Sequence, residues 1–288
     1  MLSLYTNIAA LNTKSNMNST QNALSTSMTR LGTGLRINSA MDDAAGLQIA
    51  TRLDAQSRGM TVAMKNAQNG ISMMQTAEGA LSEVTNILQR MKDLATEGAS
   101  STSTANDKTA MQSEFDALGK ELGNIMGNTT FGGEKLLKGG KMAAAVSFQI
   151  GASSSETMAV DLSTQMTALD TGLTAASGTY KDPTKAGTEI TGLTAGTPAA
   201  IIDTLNTAMD SVGSVRSALG ANSNRLDHVI NNLSNVNNNT LAAKGRIMDT
   251  DYANESSSMT AKQMLMQAST SMLKQSGSMN SLAMSLLQ

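Results

Sequence analysis

Apolar residues recur seven positions apart in several stretches of this chain, the spacing that keeps one helical face turned toward a neighbour. Met17, Leu24 and Leu31 form the first series, with Met28 and Leu35 three or four residues away. The longest runs Leu53, Met60, Ala67, Met74, Leu81, Leu88 and Ala95, and its companions shift from Met64 and Ile71 to Val84 and Met91. That shift predicts a stripe drifting around a long helix. Past the Ser/Thr-rich turn 100–106, a third helix is marked by Met111, Phe115, Leu118, Leu122 and Ile125.

The second half repeats the pattern. Leu205, Val212, Leu219, Leu226 and Leu233 recur by sevens beside Ile202, Met209 and Ile230. Thr197 before Pro198 has the form of an N-cap and first helical residue. Gly245 is expected to break the helix, and Asp249–Asp251 to open the next with acids at its positive end. The last stripe is Leu265, Met272, Met279 and Leu286, with Ala268 and Leu282 alongside.

The middle reads differently. Val146, Phe148 and Ile150 alternate with polar residues, as do Met158, Val160 and Leu162, a period of two that predicts a hairpin of half-buried strands. Residues 171–197, rich in Gly, Thr and Ala, read as loop or short strands. The fold class expected is mainly α: an elongated helical bundle or coiled coil built from both chain ends, with a small central β-hairpin region. Its inner part is expected at 1–40 plus 246–288, and its outer part at 41–245, with the hairpin and loop insertion at about 128–196.

Composition sharpens the picture. Aromatic residues are 2% of the 288, with no Trp, so Leu, Ile, Val, Ala and 22 Met must form the interior. Thin helical layers suit that set better than a thick core that leans on rings. The formal charge of −2 gives no basic footprint for nucleic acid. No apolar run approaches the ~18 residues that span a bilayer. There is no cysteine for disulfides or thiolate metal sites. The start lacks the basic n-region of a secretory signal, which alone reads as cytosolic.

No acid precedes Asp42 or follows Glu255; the flanking arms carry only Lys14, Arg30, Arg36, Lys262 and Lys274. Two weakly positive ends are not expected to pair by charge. Their pairing is assigned to Leu/Met seams, with Leu24, Met28, Leu31, Leu35, Leu265, Met272, Met279, Leu282 and Leu286 as the self-assembly residues. Isolated helices of such composition are marginal in water, so both ends are expected to order only against partners.

Catalytic parts are missing from the pattern. His228 is the only histidine and reads as solvated. Asp42–Asp43 fits a helix start better than a carboxylate pair, and Gly32–Thr33–Gly34 follows a helical run rather than the strand a phosphate loop requires. The chain is expected to have no enzymatic activity, no cofactor and no metal.

Residues 21–52, above all the stretch RINSAMDDAAG from Arg36 to Gly46, resemble the N-terminal signature of bacterial flagellins. SVRSALGANSNRLDHVINNL from Ser214, GRIMDTDYANESSSMTAKQML from Gly245 and the ending LAMSLLQ resemble the C-terminal one. Gly32–Thr33 departs from the commoner Ser–Ser of the family. The resemblance implies a filament subunit whose termini form an inner coiled coil. It also implies export unfolded through a type III channel, assembly at the distal tip and an extracellular location.

Its implied partners are further copies of the chain, an export chaperone, and the filament cap and hook–filament junction proteins, without membrane insertion. The short middle implies a small flagellin lacking large outer domains, a type also found in lateral systems. The alternative reading is a hook–filament junction protein or another flagellar axial protein. The resemblance further implies a Toll-like receptor 5 contact at Gln89, Arg90, Leu94 and Glu114, with Lys92 and Asp93 as conservative departures.

Overall fold

The computed structural model describes residues 7–192 and 199–285, with residues 199 and 279–285 described by backbone alone. The expected cap Thr197–Pro198 and Leu286 lie outside the described residues, as do the side chains of Met279 and Leu282. Seven helices follow in order among the described residues: α1 (Ile8–Thr33), α2 (Ala44–Gly98), α3 (Ala105–Asn128), α4 (Ser163–Ala176), α5 (Gly178–Lys181), α6 (Ala199–Met248) and α7 (Tyr252–Ser285). Between α3 and α4 lie two small antiparallel hairpins, β1 (Thr130–Phe131) with β2 (Glu134–Lys135) and β3 (Val146–Gln149) with β4 (Thr157–Val160). The chain divides into two compact units. One is Met1–Ser57 with Asn238–Gln288, the other Arg58–Asn237. These limits fall inside α2 and α6, whereas the division expected from sequence follows the helix breaks.

The larger unit holds the main core. The α2 series is shut away from solvent through Ala67, Met74, Leu81, Leu88 and Ala95, and Leu205, Val212, Leu219 and Leu226 of α6 are equally closed. The two stripes meet antiparallel. Gly70 lies so close to the other elements that an added Cβ would come within 2.9 Å of Phe148 and 3.1 Å of Leu226. Ser223 Oγ donates to Met74 Sδ at 3.5 Å, and Arg216 reaches Glu78 at 3.7 Å. The expected drift of the stripe is seen as Ile71 gives way to Val84 and Met91 on the buried side.

Local signals set the remaining elements of this unit. Thr104 and Asp107 form a reciprocal capping box that starts α3. The β1–β2 turn uses Gly132 and Gly133 at φ 61° and 87°, the left-handed pair that a two-residue hairpin favours. The expected hairpin is present with Val146 opposite Val160 and Phe148 opposite Met158. Gln112, nearly buried on α3, accepts from the Ile190 N–H at 2.6 Å and donates to Asp116 and Glu189. It thereby ties the segment before residue 192 to α3, and Ile190 is fully buried.

Two expectations need correction here. Residues 171–176 and 178–181 are helical rather than loop or strand. Met166, Leu169, Leu173 and Ala176 are spaced three and four apart and buried, so packing overrides the weak propensity of the Gly/Thr-rich sequence. Gly245 does not break α6, which runs on to Met248. A helical Gly costs only about 1 kcal/mol, and the chain turns instead at Asp249–Asp251.

Deleting a buried Leu side chain from this core costs about 2–5 kcal/mol. Leu88→Ala is therefore expected to lower the denaturant midpoint of the larger unit sharply, while Met28→Ala, on an exposed site, shifts stability by under about 0.5 kcal/mol. Equal midpoints for the two variants in equilibrium unfolding would contradict this placement of the core.

Candidate assembly and recognition surfaces

The smaller unit is built on α1 and α7, packed antiparallel. Asn7 caps α1 by accepting from the Ala10 N–H and also donates its amide to Ser276 O at 3.0 Å. At the other end Lys262 Nζ donates to Ser27 Oγ at 2.6 Å, and Arg30 faces Glu255 at 3.8 Å. Gly34, at φ 74°, ends α1 with its N–H on Arg30 O, a left-handed cap that Gly supplies without strain.

The two helix breaks are tied to each other. Arg36 N–H donates to Met248 O at 2.6 Å, Thr250 N–H to Gly34 O at 3.0 Å, and the Arg36 guanidinium to Ile247 O. Beneath them Ile37, Ala50 and Met248 form a small core with Leu35, Leu47 and Ile247. Asp43 accepts from Gly46 N–H at the start of α2, and Asp251 accepts from Ala253 and Asn254 N–H at the start of α7. Asp42 closes the turn between, accepting from the Ser39 and Asn38 N–H groups and the Ser39 hydroxyl.

The seam between α1 and α7 follows a strict three-four spacing. Its covered or half-covered positions include Thr13, Met17, Thr20, Leu24, Ser27 and Leu31 on α1, and Met259, Lys262, Met266, Ser269, Leu273 and Ser276 on α7. Leu24 and Leu31 thus sit where the sequence predicts. Met28 is exposed, and Leu35 packs in the small core below rather than along the seam. On α7 the expected stripe is on the wrong side: Leu265 and Met272 are 57% and 65% exposed, and Met259, Met266 and Leu273 face α1 instead.

The reason for that shift is local. Leu265–Met266 and Met272–Leu273 are adjacent apolar pairs, so each puts one member on either face and hydrophobicity alone cannot choose between them. Lys262 on Ser27 and Glu255 beside Arg30 fix the choice. The signal that points to them is the isolation of these few charges in charge-poor arms. Charge does join the two ends, contrary to expectation, through Arg30 and Glu255. At 3.8 Å and partly solvated this pair is worth about 0–1 kcal/mol, so it sets register more than it stabilises.

In the larger unit Arg90 on α2 donates through Nε to Glu114 on α3 at 2.7 Å. Both are open to solvent, and the bond to Glu114 raises the Arg90 pKa further above its ordinary value. Gln89 is exposed beside them. Leu94 is not: it is 2% exposed and belongs to the core, because the drifting stripe has reached that side of α2. Of the four residues expected at a receptor contact, Gln89, Arg90 and Glu114 are thus exposed and Leu94 is not. His228 is exposed. Among the described residues no group of three or more His, Cys, Asp or Glu is placed to hold a metal ion, and no helix is long and apolar enough to cross a membrane.

The chain is thus of a helical type in which long terminal helices pack on each other and small hairpins lie between them in the sequence. The bacterial flagellin N-terminal helical region matches residues 4–142, and the bacterial flagellin C-terminal helical region matches residues 202–287. Polar flagellin C of Vibrio parahaemolyticus is 36% identical over 381 aligned positions that cover 98% of each chain. Flagellin A of Vibrio anguillarum is 37% identical over 380 positions, covering both chains fully. These alignments are longer than the 288 residues of this chain, so the relatives carry segments it lacks. A putative flagellar hook-associated protein from Vibrio parahaemolyticus shares the fold at a TM-score of 0.55, over 72% of this chain and 100% of its own, with 15% identity. The chain belongs to the bacterial flagellin family. It is a short flagellin, a structural subunit that polymerises into the flagellar filament.

The Asp42 clasp makes a pH prediction. Hydrogen bonds from Ser39 and Asn38 backbone N–H groups, in that order, hold its pKa below the ordinary aspartate value. A depressed folded pKa adds stability that is present above the unfolded value and lost as pH falls through the folded one. Asp42 should therefore titrate by NMR below the ordinary aspartate range, and Asp42→Asn should remove that part of the acid-side loss of stability. An ordinary titration for Asp42 would refute the clasp.

Proposed function

We propose that the subunit joins its neighbours chiefly through the outward faces of α1 and α7, and that it reaches that state by export. The observation that supports this most is the apolar surface left on the paired helices. Ile8, Leu11 and Met28 on α1 and Met264, Leu265 and Met272 on α7 are all exposed while the seam itself buries little. Single exposed apolar residues need no explanation, but several on one helix pair mark a contact surface. Leu31, Leu24 and the small seam residues hold the pair together; Leu265 and Met272 face further copies of the chain, and Met279, Leu282 and Leu286 are assigned to the same self-assembly role from the sequence.

The same thin seam suits a subunit that travels unfolded through a narrow channel and folds at the filament tip. Its destination is extracellular, and its further partners are an export chaperone, the cap and the hook–filament junction proteins. Ends stabilised mainly by neighbours do not polymerise early. The inner part is assigned to 1–40 with 246–288, and the outer part to 41–245.

Leu265→Glu is expected to abolish seeded polymerisation, since an unpaired buried carboxylate costs several kcal/mol and the lattice repeats that cost at every subunit. The melting of the larger unit should stay unchanged, and normal filaments from this variant would sink the contact face. In the free subunit, hydrogen exchange should be fast along α1 and α7 and slow in the buried segments of α2, α3 and α6. Strong protection of both ends in monomer would contradict ordering on assembly.

A second reading concerns recognition by Toll-like receptor 5. The exposed Arg90–Glu114 pair with Gln89 beside it supports this, since a rigid Arg is a common interface anchor. Purified monomer is expected to activate a receptor reporter, and Arg90→Ala with Glu114→Ala to lower the response at least tenfold, about 1.4 kcal/mol of binding. An unchanged response would remove these residues from the contact.

A further inference from the structure

Methionine sulfur is the one reactive group that the chain carries in quantity and that its polar contacts scarcely use. There are 22 methionines and no cysteine, so thioethers are its only oxidisable sulfur. Among the described methionines, two groups stand near the extremes of burial. Met74, Met91, Met126 and Met166 lie in the core of the larger unit at 3% exposure or less, whereas Met28, Met264 and Met272 are 58–65% exposed on α1 and α7. Susceptibility to oxidation follows exposure, and the product is a polar sulfoxide in place of an apolar thioether.

Resting on the contact face proposed above, we infer that Met28, Met264 and Met272 form an oxidation-sensitive modification site whose conversion to sulfoxide by a hydroperoxide blocks incorporation of the free subunit. The thioether sulfur attacks the distal peroxide oxygen; the O–O bond breaks, a sulfur–oxygen bond forms, and a proton transfer releases the other oxygen as water from hydrogen peroxide or as the alcohol from an organic hydroperoxide. Sulfur loses two electrons and the peroxide gains them, so no further reactant is needed. Leu265 lies beside Met264 in sequence and one heptad from Met272, and Met28 follows Ser27, which meets Lys262 two residues before Met264, so each new sulfoxide oxygen falls on the paired helices whose apolar surface a neighbouring copy must cover. A polar group buried there without a partner raises the critical concentration about tenfold or more, the range that such burial produces. The same change in the core is prevented by burial, so the larger unit keeps its fold while assembly fails.

The experiment treats full-length monomer with mild hydrogen peroxide, maps sulfoxides by peptide mass spectrometry and measures the critical concentration for seeded polymerisation. Sulfoxide is expected at Met28, Met264 and Met272, with Met74, Met91 and Met166 intact, unchanged melting of the larger unit and at least a tenfold rise in critical concentration. Methionine sulfoxide reductases of both epimer specificities, with a dithiol reductant, should restore assembly.

The variant Met28→Leu, Met264→Leu, Met272→Leu should assemble like untreated protein before and after peroxide. Met272→Gln, which adds a polar group without oxidant, should weaken assembly on its own. Met41, 97% exposed in the turn before α2, oxidises as well, and Met41→Leu alone should leave the sensitivity in place. Sulfoxide at all three positions with an unchanged critical concentration would overturn the inference, as would equal peroxide sensitivity in the triple Leu variant. Normal assembly of Leu265→Glu would instead remove the contact face beneath it.

Discussion

The structure depends first on the burial of small and flexible apolar side chains in continuous stripes. With three Phe, three Tyr and no Trp, no ring cluster can anchor the interior. Along α2 and α6 the same result is reached by repetition: Ala67, Met74, Leu81 and Leu88 on one helix, and Leu205, Val212, Leu219 and Leu226 on the other, are all closed to solvent. Each buried Leu or Met contributes about 1.5–3 kcal/mol, and a stripe adds them with no need for a thick core. Close approach is what makes the stripes effective. Gly70 leaves room for Phe148 and Leu226 that any larger residue would fill. Phe115, fully buried on α3, is the one Phe that the interior closes over completely.

What the sequence revealed follows from how redundant each signal is. The α2 and α6 stripes each extend over several heptads, so a single misplaced residue cannot alter the reading, and burial follows them from Met60 to Ala95 and from Leu205 to Leu226, with Leu53 and Leu233 half-covered at the ends. The β3–β4 hairpin was legible for the same reason, with three alternating apolar residues in each expected strand. Single-residue signals were less dependable. Gly245 looked like a stop, yet a helix held by packing on both sides of it absorbs the cost of one Gly. The α4 helix was hidden because its propensity is poor and its four apolar contacts become visible only once the core they fill is known. The Gly132–Gly133 pair was a readable turn signal, and the two-residue strands around it were too short to support it.

The α7 face and Leu94 fail for a related reason. A periodic pattern says which residues share a face, but not which face meets which partner. Where Leu265 and Met266 stand side by side, two faces qualify, and the deciding contacts are polar: Lys262 on Ser27, Glu255 beside Arg30, Asn7 on Ser276. Each is individually weak. Their value lies in the alternatives they penalise, since turning α7 to bury Leu265 and Met272 instead would carry Lys262 away from the Ser27 hydroxyl and Glu255 away from Arg30. Leu94 lies one turn from exposed Arg90 and on the same broad face, but the drifting stripe places it at the inner edge of that face, where the core closes over it.

The contrast between the two units also indicates where folding free energy is stored. The larger unit closes its apolar stripes within one chain, so its stability is complete before any neighbour arrives. In the smaller unit α1 fully buries only Leu24 and Ser27, and the turn region adds Ile37, Ala50 and Met248. The tied helix breaks, with Arg36 on Met248 and Thr250 on Gly34, fix where α1 and α7 start and stop without making either strongly stable. Burial that a single chain leaves undone remains available to contacts between chains, and a helical lattice presents that opportunity to every subunit alike. Under the proposed assembly, α1 and α7 would gain their remaining cover from neighbouring copies, and the free energy of that burial would belong to polymerisation rather than to folding of the single chain.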